Sequence, residues 1–345
     1  MRFDKQDLDW AAGEGHMTAE QADALWAALQ TRRTERPHFS AVHIAYFAGA
    51  LLVIGAMGWF MGTAWEALGG AGIFAISVVY AAGFTVVGRR QWNRPGGRVL
   101  GGLLIAVAVA MTPLATYGLQ RWLGIWHGDD PGNYRDFHVW IRSGWFTMEL
   151  ATVGAGLLAL RYVRFPFLCA PVAFALWYMS MDLTPIIAGG DFDWHLRKLV
   201  SVWFGLAMIA GSYLIDRRTT EDFAFWGYLF GLIAFWGGLS LMSSDSELSR
   251  FFYFAINVAL IFAAVFLRRR AFLVFGALGC CGYIGYLAGD LFEDSFLFPF
   301  VLTGFGIAII GLGVVLKRHG ARFEQAVIDG LPPALRRLRP AERDH

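Results

Sequence analysis

The chain has 345 residues, of which 57% are hydrophobic and 41 are glycine, while only 16% carry charge, for a formal net charge of +2. A soluble domain usually carries about 25% charged residues, and one soluble core cannot absorb this much apolar side chain. The composition excludes a soluble enzyme, a nucleic-acid-binding protein and a secreted disulfide framework, and points to an all-α, polytopic membrane bundle.

The first 40 residues are polar, with no apolar core of the kind a cleavable signal peptide needs. Within them, Asp9 to Gly15 reads as the end of a short helix closing on glycine. Thr18-Ala19-Glu20-Gln21 then reads as a capping box, followed by Leu25, Trp26 and Leu29 at helical spacing. The expectation is a small cytosolic helical hairpin over residues 1–40, too small to bury a core of its own.

Ten apolar windows follow, at 41–63, 71–88, 99–119, 144–160, 165–181, 199–215, 223–242, 251–267, 271–289 and 296–316. They hold 190 residues and one formally charged side chain, Glu149, where an even spread would put about 31 charges. A hydrocarbon solvent demands that segregation, because a charge at mid-bilayer costs several kcal/mol. Each window is near the roughly 20 residues that cross a bilayer as a helix, so about ten spans are expected over 41–316. Windows four and five are parted only by Arg161-Tyr162-Val163-Arg164, which reads as a tight turn.

With the amino terminus inside, the cytoplasmic segments carry 23 of the 29 lysines and arginines and the outer segments six. That bias sets both termini in the cytoplasm. The short loops favour a bacterial inner membrane. The tail, 317–345, places Phe323, Val327 and Leu331 at four-residue spacing beside several arginines, a pattern suited to anionic headgroups. Membrane lipid is therefore an expected partner, together with a second copy of the chain or another membrane protein. No nucleic acid is expected.

Small-xxx-small pairs, Gly58/Gly62, Gly227/Gly231 and Gly285/Gly289, permit close helix approach. Pro113, Pro166 and Pro171 fall within windows and are read as kinks. Cys169, Cys280 and Cys281 lie in apolar windows and read as packing residues. Gly154-x-Gly156-x-x-Ala159 matches a dinucleotide fingerprint only formally, since no strand precedes it. No cofactor, metal or catalytic signature is present.

Glu149 is the first candidate functional residue, because intramembrane carboxylates are costly and mark functional sites; the plainer reading makes it interfacial. Asn257, near mid-span, suits a hydrogen bond between helices. The outer loops collect His127, Asp130 and His138, then Asp182 and His195. Histidine with carboxylate can bind a divalent ion or perform acid–base chemistry, although solvated acidic loops are the ordinary expectation.

The N-terminal run Gly15-His16-Met17-Thr18-Ala19-Glu20-Gln21-Ala22-Asp23-Ala24-Leu25 precedes a first span containing Tyr46-Phe47-Ala48-Gly49-Ala50-Leu51-Leu52-Val53-Ile54-Gly55-Ala56. A short outer turn, Trp65-Glu66-Ala67-Leu68-Gly69, follows. Over roughly residues 8–90 this resembles the bacterial multi-span membrane family catalogued as domain of unknown function 2157. The resemblance implies an integral membrane protein and transfers no catalytic residue. Three functional readings remain: a structural, sensory or assembly protein; a secondary permease for a small solute or lipid; and a membrane-embedded enzyme acting at the outer loops.

Overall fold

The computed structural model describes residues 5–34, 41–126, 144–187, 194–219, 221–242 and 246–292, with a few isolated positions beyond. All regular structure among the described residues is helical. The chain divides into two units, Met1–Trp122 and Leu123–His345.

In the first unit, α1 (Lys5–Gly13) packs against α2 (Ala19–Thr34). Gly15, at φ +79°, reverses the chain after α1. The capping box then forms at the start of α2. The Gln21 amide donates to Thr18 Oγ1 at 3.2 Å, and the Thr18 amide donates to Gln21 Oε1 at 3.0 Å. Leu8 and Ala22 are buried, and Lys5 pairs with Asp23 at 3.3 Å.

Helix α3 (Ala41–Trp92) is two helical arms meeting at Gly69, whose φ of +59° no ordinary helical residue adopts. The expected outer turn at 65–69 is thus helical through Leu68, and the direction changes at one glycine. The second arm packs against α4 (Arg98–Ala110) and α5 (Thr112–Trp122). That seam is closed by glycines. A Cβ at Gly70 would lie 2.5 Å from the Trp122 amide nitrogen, and one at Gly101 would lie 2.7 Å from the Gly88 carbonyl oxygen. Helix α4 gives way to α5 at Met111, two residues before Pro113, where a missing N–H interrupts the ladder. Leu103, Val107, Met111 and Tyr117 on this element are almost fully buried. Leu51, Leu52 and Trp59 on the first arm of α3 are exposed, as lipid-facing residues are.

In the second unit, α6 (Gly144–Tyr162) and α7 (Cys169–Ile187) are joined by a tight link with a single 3-10 turn, Pro166–Leu168. Pro166 opens that turn and Pro171 sits in the first turn of α7. Both stand where a backbone N–H has no helical acceptor to lose, so neither kinks a helix interior. Helix α8 (Trp194–Arg218) packs on α9 (Phe225–Ser240), and α10 (Glu247–Leu267) on α11 (Arg270–Phe292).

The α8–α9 seam also rests on glycine. A Cβ at Gly205 would strike the backbone of Phe235, one at Gly231 would sit 3.0 Å from the Met208 Cβ, and one at Gly238 would sit 2.8 Å from the Lys198 carbonyl oxygen. Ser201 Oγ donates across the seam to the Ala234 carbonyl at 2.8 Å. Of the three small-xxx-small pairs, Gly227/Gly231 does line a helix contact, whereas a Cβ at Gly285 would meet nothing within 4 Å. The surroundings of Gly58, Gly62 and Gly289 are not among those described. The core beside this seam joins Tyr228, Leu232 and Phe235 of α9 to Leu260, Ala264 and Leu267 of α10 and Phe272 of α11.

Six described helical segments are long and apolar enough to cross a membrane: Leu68–Trp92, Arg98–Trp122, Pro166–Thr184, Trp194–Arg218, Leu248–Leu267 and Arg270–Leu287. Ile44–Met57 and Phe225–Ser240 are shorter apolar helices. The window at 296–316 and the tail at 317–345 lie almost wholly outside the described residues.

Candidate functional site

Several hydroxyls within the apolar helices are spent locally. Thr152 Oγ1 donates to the Met148 carbonyl and Ser212 Oγ to that of Met208, each at 2.7 Å along its own helix. Four polar clusters among the described residues of the second unit do more than this.

The first contains two sequence candidates. The carboxyl group of Glu149, on α6, meets that of Asp182, on α7, and Arg197 at the start of α8 lies within electrostatic reach of Asp182. Glu149 is 6% exposed and Asp182 3%. Both Glu149 oxygens, Oδ2 of Asp182 and Oγ1 of Thr184 are buried without a hydrogen bond of normal geometry. Glu149 is thus buried within the protein beside a second acid. Two neighbouring buried carboxyl groups can serve in a membrane proton relay.

Asn257 occupies the second cluster and is fully buried. Its Oδ1 accepts from Trp236 Nε1 at 3.0 Å and its Nδ2 donates to the Tyr253 carbonyl at 2.8 Å. On α11, Gly279 leaves the room that this amide fills, since a Cβ there would collide with it. Asn257 thus links α10 to α9 by a hydrogen bond and packs against α11 at Gly279.

The third cluster was not visible in the sequence. Arg269, in the turn between α10 and α11, grips Asp216 at the end of α8 with two hydrogen bonds, 3.2 Å from Nε and 2.7 Å from Nη2. Its Nη1 donates to Asp222 at 2.7 Å, and its guanidinium lies 5.4 Å from the centroid of the Tyr228 ring. The side chains of Asp216 and Arg269 are 1% and 10% exposed. Burial works against the guanidinium's charge, but the hydrogen bonds and charges of Asp216 and Asp222 outweigh it, leaving the Arg269 pKa above its ordinary value. The turn itself is strained: Arg268 adopts φ +55°, and both it and Arg269 direct their amides at the Ala264 carbonyl. In sequence, Arg268-Arg269-Arg270 reads only as a topological charge run.

The fourth is a cleft of about 600 Å³ between the ends of α8, α9, α10 and α11. His195 and Lys198 enter it from α8, Ser240 from α9, Arg250 and Tyr253 from α10, and Tyr283 and Tyr286 from α11. Phe252 and Ile256 supply apolar wall. Arg250 lies 4.2 Å from the Tyr286 ring centroid and donates to the Tyr286 hydroxyl. The volume falls within the range of about 300–1,000 Å³ usual for small-molecule sites.

The candidates are therefore distributed. Glu149 and Asp182 come together, His195 lines the cleft, and Asn257 is hydrogen-bonded between α9 and α10. His127, Asp130 and His138 lie outside the described residues. Among the described residues no three His, Cys, Asp or Glu side chains converge as a metal ion would require, and the three cysteines are free thiols.

Residues 9–118 match the family model described as Predicted membrane protein (DUF2157). The match covers the N-terminal third of the chain and agrees with the resemblance over residues 8–90. All four polar clusters lie beyond it. No curated protein and no solved structure matches the chain.

Proposed function

We propose, with the membrane character of the 9–118 segment as premise, that this is a multi-span protein of sensory type that takes a small ligand at the outer end of α8–α11. In this reading it crosses a bacterial inner membrane about ten times, with both termini in the cytoplasm. The observation that carries it is the cleft itself, which joins cationic, hydroxyl and apolar groups from four helices. The buried polar groups nearest the helix seams are committed to packing: Asn257 clasps α10 to α9 against α11 and Arg269 ties the turn after α10 to the end of α8.

The test is a cleft-blocking substitution in the full chain. Gly282 lines the cleft, and a Cβ there meets nothing within 4 Å. Gly282→Trp is therefore expected to fold and to fill the space. Ligand-induced shifts of the unfolding midpoint, screened on detergent-purified protein, should vanish in this variant. Shifts that survive Gly282→Trp unchanged refute the reading.

One observation favours a second reading, a secondary permease: the buried Glu149–Asp182 pair beside Arg197. Proton flux in proteoliposomes that is present in the native chain and absent in Glu149→Gln supports transport. Equal flux in both eliminates it.

A further inference from the structure

The cleft between α8 and α11 sits at a particular depth. Lys198 lies in the second turn of α8, Arg250 in the first turn of α10 and Tyr286 near the end of α11. Each is within a few residues of the end of its candidate span. At 1.5 Å of rise per residue, the cationic and hydroxyl lining groups fall within about 8 Å of those ends, and Ile256 lies about 12 Å in. A span of about 20 residues matches the roughly 30 Å hydrocarbon core, so the cleft opens at the boundary between that core and the headgroup layer.

Its chemistry is graded. Lys198 and Arg250 bring positive charge, and Lys198 makes no ion pair among the described residues. No carboxylate is among the described residues that line it. Tyr253 and Tyr286 add hydroxyls, amphipathic side chains of the type that collects at membrane interfaces. Phe252 lines the cleft while remaining 57% exposed, and it is followed one turn deeper by Ile256. An anionic head can meet the two cations while an apolar body runs along α10 toward the bilayer centre. A compact soluble anion would leave the Phe252–Ile256 wall uncovered.

We infer that the cleft between α8, α10 and α11 binds the phosphate-bearing headgroup of an anionic membrane lipid, held by Lys198 and Arg250 with its chains along Phe252 and Ile256. This assignment rests on the reading of the cleft as the ligand site and specifies its occupant. Tyr286 is a positioning residue: its ring and hydroxyl hold the Arg250 guanidinium at the cleft wall.

The full chain, purified in a nonionic detergent, is titrated with phosphatidylglycerol, phosphatidylcholine and inorganic phosphate. Binding is read from the unfolding midpoint and from lipid retained in native mass spectra. Two cations near an anionic headgroup are worth about 1 kcal/mol each, so phosphatidylglycerol should bind about 30-fold more tightly than phosphatidylcholine. Lys198→Gln alone should cut that preference about fivefold, and the Lys198→Gln/Arg250→Gln pair should abolish it. Inorganic phosphate should produce no shift. Equal binding of the two lipids, a preference that survives the double variant, or saturation by inorganic phosphate overturns the assignment. Gly282→Trp separates the two levels. If it abolishes binding of a lipid that shows no charge preference, the ligand cleft stands and the anionic-lipid assignment falls. If a phosphatidylglycerol preference persists in Gly282→Trp, both fall.

Discussion

The Asp216–Arg269 pair gives the sharpest prediction of stability. Asp216→Ala removes the acceptor of two guanidinium hydrogen bonds and leaves a 10%-exposed arginine with Asp222 as its remaining carboxylate. Breaking a buried ion pair by deleting one partner costs about 3–5 kcal/mol, mostly from the stranded charge. The Asp222 side chain is 38% exposed and still donates its charge at 2.7 Å, so the lower end applies: about 3 kcal/mol. Asp222→Ala removes a partly solvated partner and should cost about 1 kcal/mol or less. The double variant Asp216→Leu/Arg269→Met strands no buried charge, takes Arg269 only from the partly solvated Asp222, and should recover most of the loss, because apolar replacement of a buried pair is often neutral. Equilibrium unfolding in mixed micelles measures each variant, and adding the Asp216→Leu and Arg269→Met singles completes a double-mutant cycle with the double variant. An Asp216→Ala variant within about 0.5 kcal/mol of the native chain would refute the argument. So would a double variant whose loss equals the sum of the singles.

Three further outcomes are expected. Gly279→Ala pushes a Cβ into the Asn257 amide and should cost about 2–3 kcal/mol through overpacking and lost hydrogen bonds; adding Asn257→Ala should return part of it in the same unfolding assay. Arg268→Gly relieves a left-handed residue at φ +55° and should stabilise the chain by about 1 kcal/mol, seen as a raised unfolding midpoint. Thr18→Ala removes the side-chain cap of α2 and should cost that helix about 1 kcal/mol, with faster hydrogen exchange at the amides of its first turn and unchanged exchange in α8.

The membrane-spanning character was legible because hydrocarbon excludes charge residue by residue, and a linear count records that exclusion. The tight Arg161–Arg164 link and the Thr18/Gln21 cap were legible for the same reason: each is decided within a few residues. The change of direction in α3 was only half legible. The sequence suggests a turn over Trp65–Gly69, but apolar residues keep helical hydrogen bonds through Leu68, and only Gly69 departs. Asp216 and Arg269 stand 53 positions apart, and each alone looks like a loop charge, so their pairing has no local signal. Glu149 and Asp182 were each marked as candidates, yet only the packing of α6 on α7 puts them together. The cleft was invisible for a geometric reason: it is made from the ends of four helices, none of which has a distinctive motif.

The Asn257 clasp bears on how fast the cleft can work. Tyr253 and Ile256 line the cleft on α10, and the clasp bonds Asn257 back to the Tyr253 carbonyl and across to Trp236. The floor of the cleft is therefore set before any ligand arrives, and little ordering entropy remains to be lost on binding. Association at such a site is governed by access from the bilayer, and differences between ligands appear in how slowly they leave. Loosening the clasp from the α11 side, at Gly279, would then shorten ligand residence without touching a single lining residue.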